Sequence, residues 1–150
     1  MSLEFDTTMV SAIISIIVSI ASTIVFNKYQ RKHEIKTKLD EEFNEILKIA
    51  IEYPYLESKH FTENWKSDYD RSDELALRYE VYCTLVFNFL ERFSKFYKFD
   101  YEKMSNEIAI KEWIQLHSKY WRDPTIPNEN IDCYDPNFLK IVEDCLTGVN

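Results

Sequence analysis

Apolar and polar positions divide this chain into two regimes. From Met9 to Phe26 the sequence reads MVSAIISIIVSIASTIVF, and no Asp, Glu, Lys, Arg or His lies between Thr7 and Asn27. Eighteen helical residues span about 27 Å, close to the roughly 30 Å of a bilayer's hydrocarbon core. The pattern predicts one transmembrane helix over residues 9–27. On a wheel of about 100° per residue, Thr8, Ser11, Ala12, Ser15, Ser19, Ser22 and Thr23 share one arc, and Ile and Val fill the rest. A lone helix in lipid gains nothing from such segregation. Small residues let helices approach closely, and hydroxyls can bond across the contact. Water behind a pore lining is the other use of such a face. Hydroxyls that simply bond their own helix's carbonyls need neither.

After Asn27 the apolar positions recur at three and four. Ile35, Leu39, Phe43, Ile46, Leu47, Ala50 and Ile51 predict a juxtamembrane stalk helix over 28–52, closed by Pro54. A short helix near 55–66 and a loop follow. The central helix is expected from Asp73 to Lys98, with Ser72 as N-cap. Its stripe is Leu75, Tyr79, Tyr82, Val86, Phe89, Phe93 and Tyr97, widened by Cys83, Phe87 and Leu90. Such width predicts contacts on more than one side. A third helix is expected over 105–121. The last, 136–146, starts at Asp135-Pro136 and stops at Gly148. The fold class is therefore all-α: a single N-terminal transmembrane helix, a stalk, and a small bundle of three to four helices. The segments are 1–8 outside the membrane, 9–27 within it, 28–52 as stalk and 53–150 as the helical domain.

Charge sets the orientation. Glu4 and Asp6 precede the apolar run, while Lys28, Arg31, Lys32, Lys36 and Lys38 follow it. The positive-inside rule then places the N-terminus outside and the C-terminal domain in the cytoplasm. All 18 Lys and Arg lie beyond the run with 24 of the 26 acids, about −6 in net charge. That balance disfavours broad nucleic-acid binding, which runs on positive charge. Gly148 is the only glycine, so no phosphate-cradling loop can be written. No cofactor is expected. Cys83, Cys133 and Cys145 form no CxxC pair and match no metal-ligand spacing. Cys83 is expected in the core and the other two as incidental thiols.

Three constellations bear on chemistry. Trp113, His117 and Trp121 step by four along one helical face. They suit either a polar group in an aromatic pocket or a buried histidine bonded to a carbonyl or an acid. Arg78, Arg92 and Arg122, with Lys95 and Lys119, suit a small phosphorylated ligand, or pairing with acids such as Glu74, Glu80 and Glu91. Thr8, Ser11, Ser15, Ser19, Ser22 and Thr23 are the pore-lining or helix-packing set. No hydrolase elbow or HExxH occurs, so no catalytic residue is assigned.

The block Arg78-Tyr79-x-x-Tyr82-Cys83-x-x-Val86-Phe87-Asn88-x-x-Glu91, followed by Trp113-x-x-x-His117-x-x-x-Trp121, resembles a group of small bacterial proteins. These carry one N-terminal membrane helix and a helical cytosolic part, with no established activity. The similarity covers most of residues 45–145 and transfers no catalytic residue. The layout also resembles membrane effectors of bacterial anti-phage defence, in which a cytosolic sensing domain controls a membrane-disrupting or ion-conducting oligomer. That resemblance implies a cytoplasmic (inner) membrane location and a homo-oligomer contacting lipid. The sequence thus carries three expectations: a pore-forming effector, a non-conducting tethered module for a cytosolic protein partner, and a small hydrolase or nuclease around His117.

Overall fold

The computed structural model describes residues 3–127 and 129–148, with side chains from residue 9 onward except residue 131. The fold is all-α, without a strand among the described residues. It divides into two compact units, Met1–Lys38 and Leu39–Asn150.

Helix α1 runs Leu3–Glu52. Within the first unit every described side chain from Met9 to Ile35 is exposed. This stretch is long and apolar enough to cross a membrane. From Leu39 onward α1 carries core residues of the second unit. Leu39 and Ile46 are buried and Phe43 half-buried, seven and four residues apart on one face. Pro54 disfavours the helical region at Tyr53, which sits at φ −125°, ψ 71°. The chain then makes a 3₁₀ turn, Pro54–Glu57, and the one-turn helix α2, Lys59–Thr62. Leu56, fully buried, anchors the turn.

Helix α3, Glu74–Phe96, is the centre of the core. Its cap is Asp73, not Ser72: the Asp73 carboxylate accepts from the amides of Leu75 and Ala76. The Ser72 amide instead donates to Asp70. Tyr79, Tyr82, Cys83, Val86, Phe87, Phe89, Leu90 and Phe93 are buried along one broad arc of about 160°. The helix stops at Phe96, two residues before the expected end. Lys98 and Phe99 both take left-handed backbone, φ 56° and 59°. That conformation usually falls to glycine, and each costs on the order of 1 kcal/mol for a residue with a Cβ. Phe99 packs on the core, and its amide donates to the Ser94 carbonyl at 2.8 Å.

The expected helix 105–121 is two short helices, α5, Ile110–Leu116, and α6, Ser118–Arg122, preceded by a break and by α4, Tyr101–Ser105, which Asp100 caps. The second interruption falls on His117, at φ −98°, ψ 17°, whose ring is tied into the core. Helix α7, Glu129–Asp132, is one turn. Helix α8, Pro136–Thr147, has the expected ends: Asp135 accepts from the Asn137 amide, and Gly148 closes it at φ 78°. It packs on α5 and buries Phe138, Ile141, Val142 and Cys145. Cys145 is thus a core residue rather than an incidental thiol, whereas Cys133 is exposed.

Aromatic rings fill the interior. Phe87 stacks near-parallel to Tyr120 and lies 4.6 Å from Trp121, centroid to centroid. Trp65 meets Tyr69, Tyr79 and Tyr120, and its indole N–H donates to the Asp123 carbonyl at 2.9 Å. This bond pins the loop after α2 to the end of α6. Phe87→Ala is expected to cost about 3–5 kcal/mol, and Asp73→Ala about 1 kcal/mol. Denaturant unfolding of the full chain in detergent, followed by tryptophan emission, measures both. Similar losses for the two variants would contradict the placement of Phe87 at the core's centre.

Candidate functional site

The 3₁₀ turn delivers Glu57 to the interior edge of the bundle, where three donors from two other elements meet it. Tyr82 of α3 donates its hydroxyl to Oε1. The Trp113 indole of α5 donates to the same oxygen at 2.9 Å. His117 Nε2, at the end of α5, lies 3.4 Å from it. Trp113 and His117 reach one carboxylate because they are four residues apart on a helical face. Oε2 accepts no hydrogen bond among the described residues. Burial alone pushes the Glu57 carboxyl upward. The bonds from His117, Tyr82 and Trp113 outweigh it and hold the group below the usual glutamate value. Glu57 is therefore a carboxylate at neutral pH.

On the other side of the imidazole, Nδ1 lies 3.0 Å from the Tyr79 hydroxyl and 3.7 Å from Cys83 Sγ. Nε2 faces the Glu57 carboxylate, and Nδ1 shares a hydrogen bond with the Tyr79 hydroxyl. Cys83, His117 and Glu57 share the connectivity of a nucleophile, a base and an orienting acid. The environment removes the nucleophile. Cys83 is fully buried, and burial pushes its thiol well above the ordinary value. Burial likewise raises the Tyr79 and Tyr82 hydroxyls. A neutral thiol without surface is a packing group. His117 is thus the buried histidine bonded to an acid, one of its two expected readings.

The remaining expected residues are not gathered with it. Trp121 packs away from this network, against Phe87, Tyr134 and Phe138. Arg78 and Arg92 are fourteen residues apart on α3, about 21 Å along its axis. Arg78 pairs with Glu74 at 2.7 Å and stacks on Tyr53. Arg92 pairs with Glu42 at 2.9 Å, and Lys95 with Glu91 at 2.8 Å. Arg122 is exposed at the end of α6. Arg78 and Lys95 meet a carboxylate one turn away on α3 and Arg92 meets one on α1, so these three cations do not share a pocket. In the apolar helix the side chain of Thr8 lies outside the described residues. Ser15 donates to the Ser11 carbonyl at 2.9 Å and Thr23 to the Ser19 carbonyl at 2.8 Å. Ser11, Ser15, Ser19, Ser22 and Thr23 are all exposed.

The open feature at this site is a cleft of about 380 Å³ beside Glu57. Phe43 and Leu47 of α1, and Ile108, Trp113 and Leu116, form its apolar walls. Glu57, Glu107 and Glu112 also line it, with no Lys, Arg or His among the described lining residues. Sequence reasoning named Trp113 and His117 but not Glu57. The four-residue spacing of the two donors marked one half of the network, and their acceptor lies 56 and 60 residues away.

Because the folded value of Glu57 is depressed, its stabilising contribution is complete above the ordinary carboxyl pKa of about 4.3. It is lost as pH falls through the lower folded value. Glu57→Gln is expected to destabilise the protein by about 2–3 kcal/mol at neutral pH, with the gap to wild type closing in acid. Urea midpoints of both proteins across that range measure this, and a gap independent of pH would contradict the network. Comparison with known proteins finds no family model, no curated protein and no solved structure that matches this chain.

Proposed function

We propose that the chain is an oligomeric single-pass membrane effector, whose hydroxyl-faced helix forms or gates a pore under the control of a cytoplasmic helical sensing unit. The carrying observation is the segregation of Ser11, Ser15, Ser19, Ser22 and Thr23 from the isoleucines and valines of the apolar helix. That arrangement has a physical use only where one face meets something other than lipid. The helical unit supplies a cleft of ligand size. Anti-phage defence is the setting that the layout suggests.

One observation favours a second reading, a non-conducting tethered module that recruits a cytosolic protein. The hydroxyls of Ser15 and Thr23 bond carbonyls of their own helix. They are then satisfied without water, and a dry helix–helix contact suffices.

Thiol labelling separates the two. Cys83 and Cys145 are buried, and burial pushes the Cys145 thiol up to about 11. Cys133→Ser alone therefore gives a quiet background. Ser15→Cys in intact membranes is expected to react with a small impermeant reagent, while Ile17→Cys stays protected. Protection of both favours the tethered module. A monomer in native membranes, read by cross-linking, overturns the oligomeric effector.

A further inference from the structure

We propose that the cleft beside Glu57 binds a small organic cation, a protonated amine carried on an apolar body. The inference names the ligand class for the sensing unit and rests on that reading for its biological role. Its physical basis is separate.

The Glu57 carboxylate is built to stay ionised at the edge of an apolar cleft. Tyr82, Trp113 and His117 fix one oxygen, Oε1, and leave Oε2 without a protein partner among the described residues. A held, half-satisfied carboxylate is a charge acceptor whose orientation is settled before any ligand arrives. The same indole that donates to it also forms the wall. The Trp113 ring meets Phe43 edge to face at 5.9 Å between centroids, and both line the cleft. Aromatic faces attract cations within about 6 Å, and indole does so best. Leu47, Ile108 and Leu116 give the apolar body its surface.

Charge decides the sign of the ligand. Glu57 presents its unbonded oxygen here, Glu112 stands beside it, and no Lys, Arg or His is among the described lining residues. An anion would find no cationic side chain in this lining, so the phosphorylated ligand suggested by the arginines does not belong in this place. A neutral apolar molecule would leave the Glu57 carboxylate desolvated and half unpaired. A volume of about 380 Å³ lies at the lower end of the range for small-molecule sites, roughly 300–1,000 Å³. It suits an aryl-alkyl ammonium rather than a folded partner.

The probe is phenethylammonium, with 2-phenylethanol as its uncharged counterpart. Each is titrated calorimetrically into the full chain in lipid nanodiscs, against empty nanodiscs. The amine is expected to bind about tenfold or more tightly than the alcohol. Leu47 is 39% exposed, so Leu47→Arg puts a fixed cation into the cleft without disturbing the core. This variant, checked for helicity, is expected to abolish amine binding. Glu112→Gln is expected to weaken it by about threefold. Equal affinity for amine and alcohol, no binding of either, or unchanged amine affinity in Leu47→Arg would each overturn the proposal. Amine binding without ion flux removes the pore and leaves the cleft assignment. Flux without amine binding does the reverse.

Discussion

A single ionised carboxylate at the edge of the core governs the second unit's architecture. Glu57 sits in a 3₁₀ turn directly after the proline-terminated helix α1. Its partners come from the middle of α3 and from the middle and C-terminal end of α5. Burying a charge is unfavourable by several kcal/mol unless hydrogen bonds replace its water. Three donors converging on one oxygen meet that condition and fix the relative positions of the 3₁₀ turn, α3 and α5. The arrangement also explains the backbone at His117. An unbroken helix from α5 to α6 would have to hold that residue in regular geometry while its ring spans Glu57 and Tyr79. The helix breaks there instead.

Much of the fold was readable because it is periodic. The apolar run, the stripes of α3 and α8, and the Asp135-Pro136 start with its Gly148 stop are local signals, and the structure has them. The failures are also physical. Ser72 and Asp73 are both good caps, and only the Asx turn at Asp70 decides between them. The end of α3 was invisible because Lys98 and Phe99 take the conformation that a sequence reader assigns to glycine. The breaks at 106–109 and at His117 interrupt a pattern that still repeats like one helix, since local periodicity carries no information about where a side chain finds its partner. Half of the site was accessible for the same reason. Trp113 and His117 advertise a shared face, whereas Glu57 is one of 26 acids, distant in sequence and without a spacing signal.

The basic residues behave differently from what their number suggests. Arg78, Arg92 and Lys95 each find a carboxylate within 3 Å. Such exposed pairs contribute little to stability, typically below about 1 kcal/mol. Their effect is electrostatic housekeeping: they neutralise α3's cations locally and prevent a concentrated positive field. Glu57, Glu107 and Glu112 all line the one cleft, which has no Lys, Arg or His among its described lining residues.

Polar side chains find their partners at two ranges. In the second unit Tyr82, Tyr79 and His117 find theirs across the fold, while the buried Ser94 hydroxyl bonds the Leu90 carbonyl of its own helix. In the apolar helix the hydroxyls of Ser15 and Thr23 find theirs four residues back. Local satisfaction makes a serine tolerable in lipid, but it does not explain why serines and threonines should keep to one side, since any position around the helix offers a carbonyl four residues earlier. Their alignment is the part that self-bonding leaves unexplained. A neighbouring helix, from a second copy or from another protein, or a column of water is the kind of surface that would give such an alignment a use.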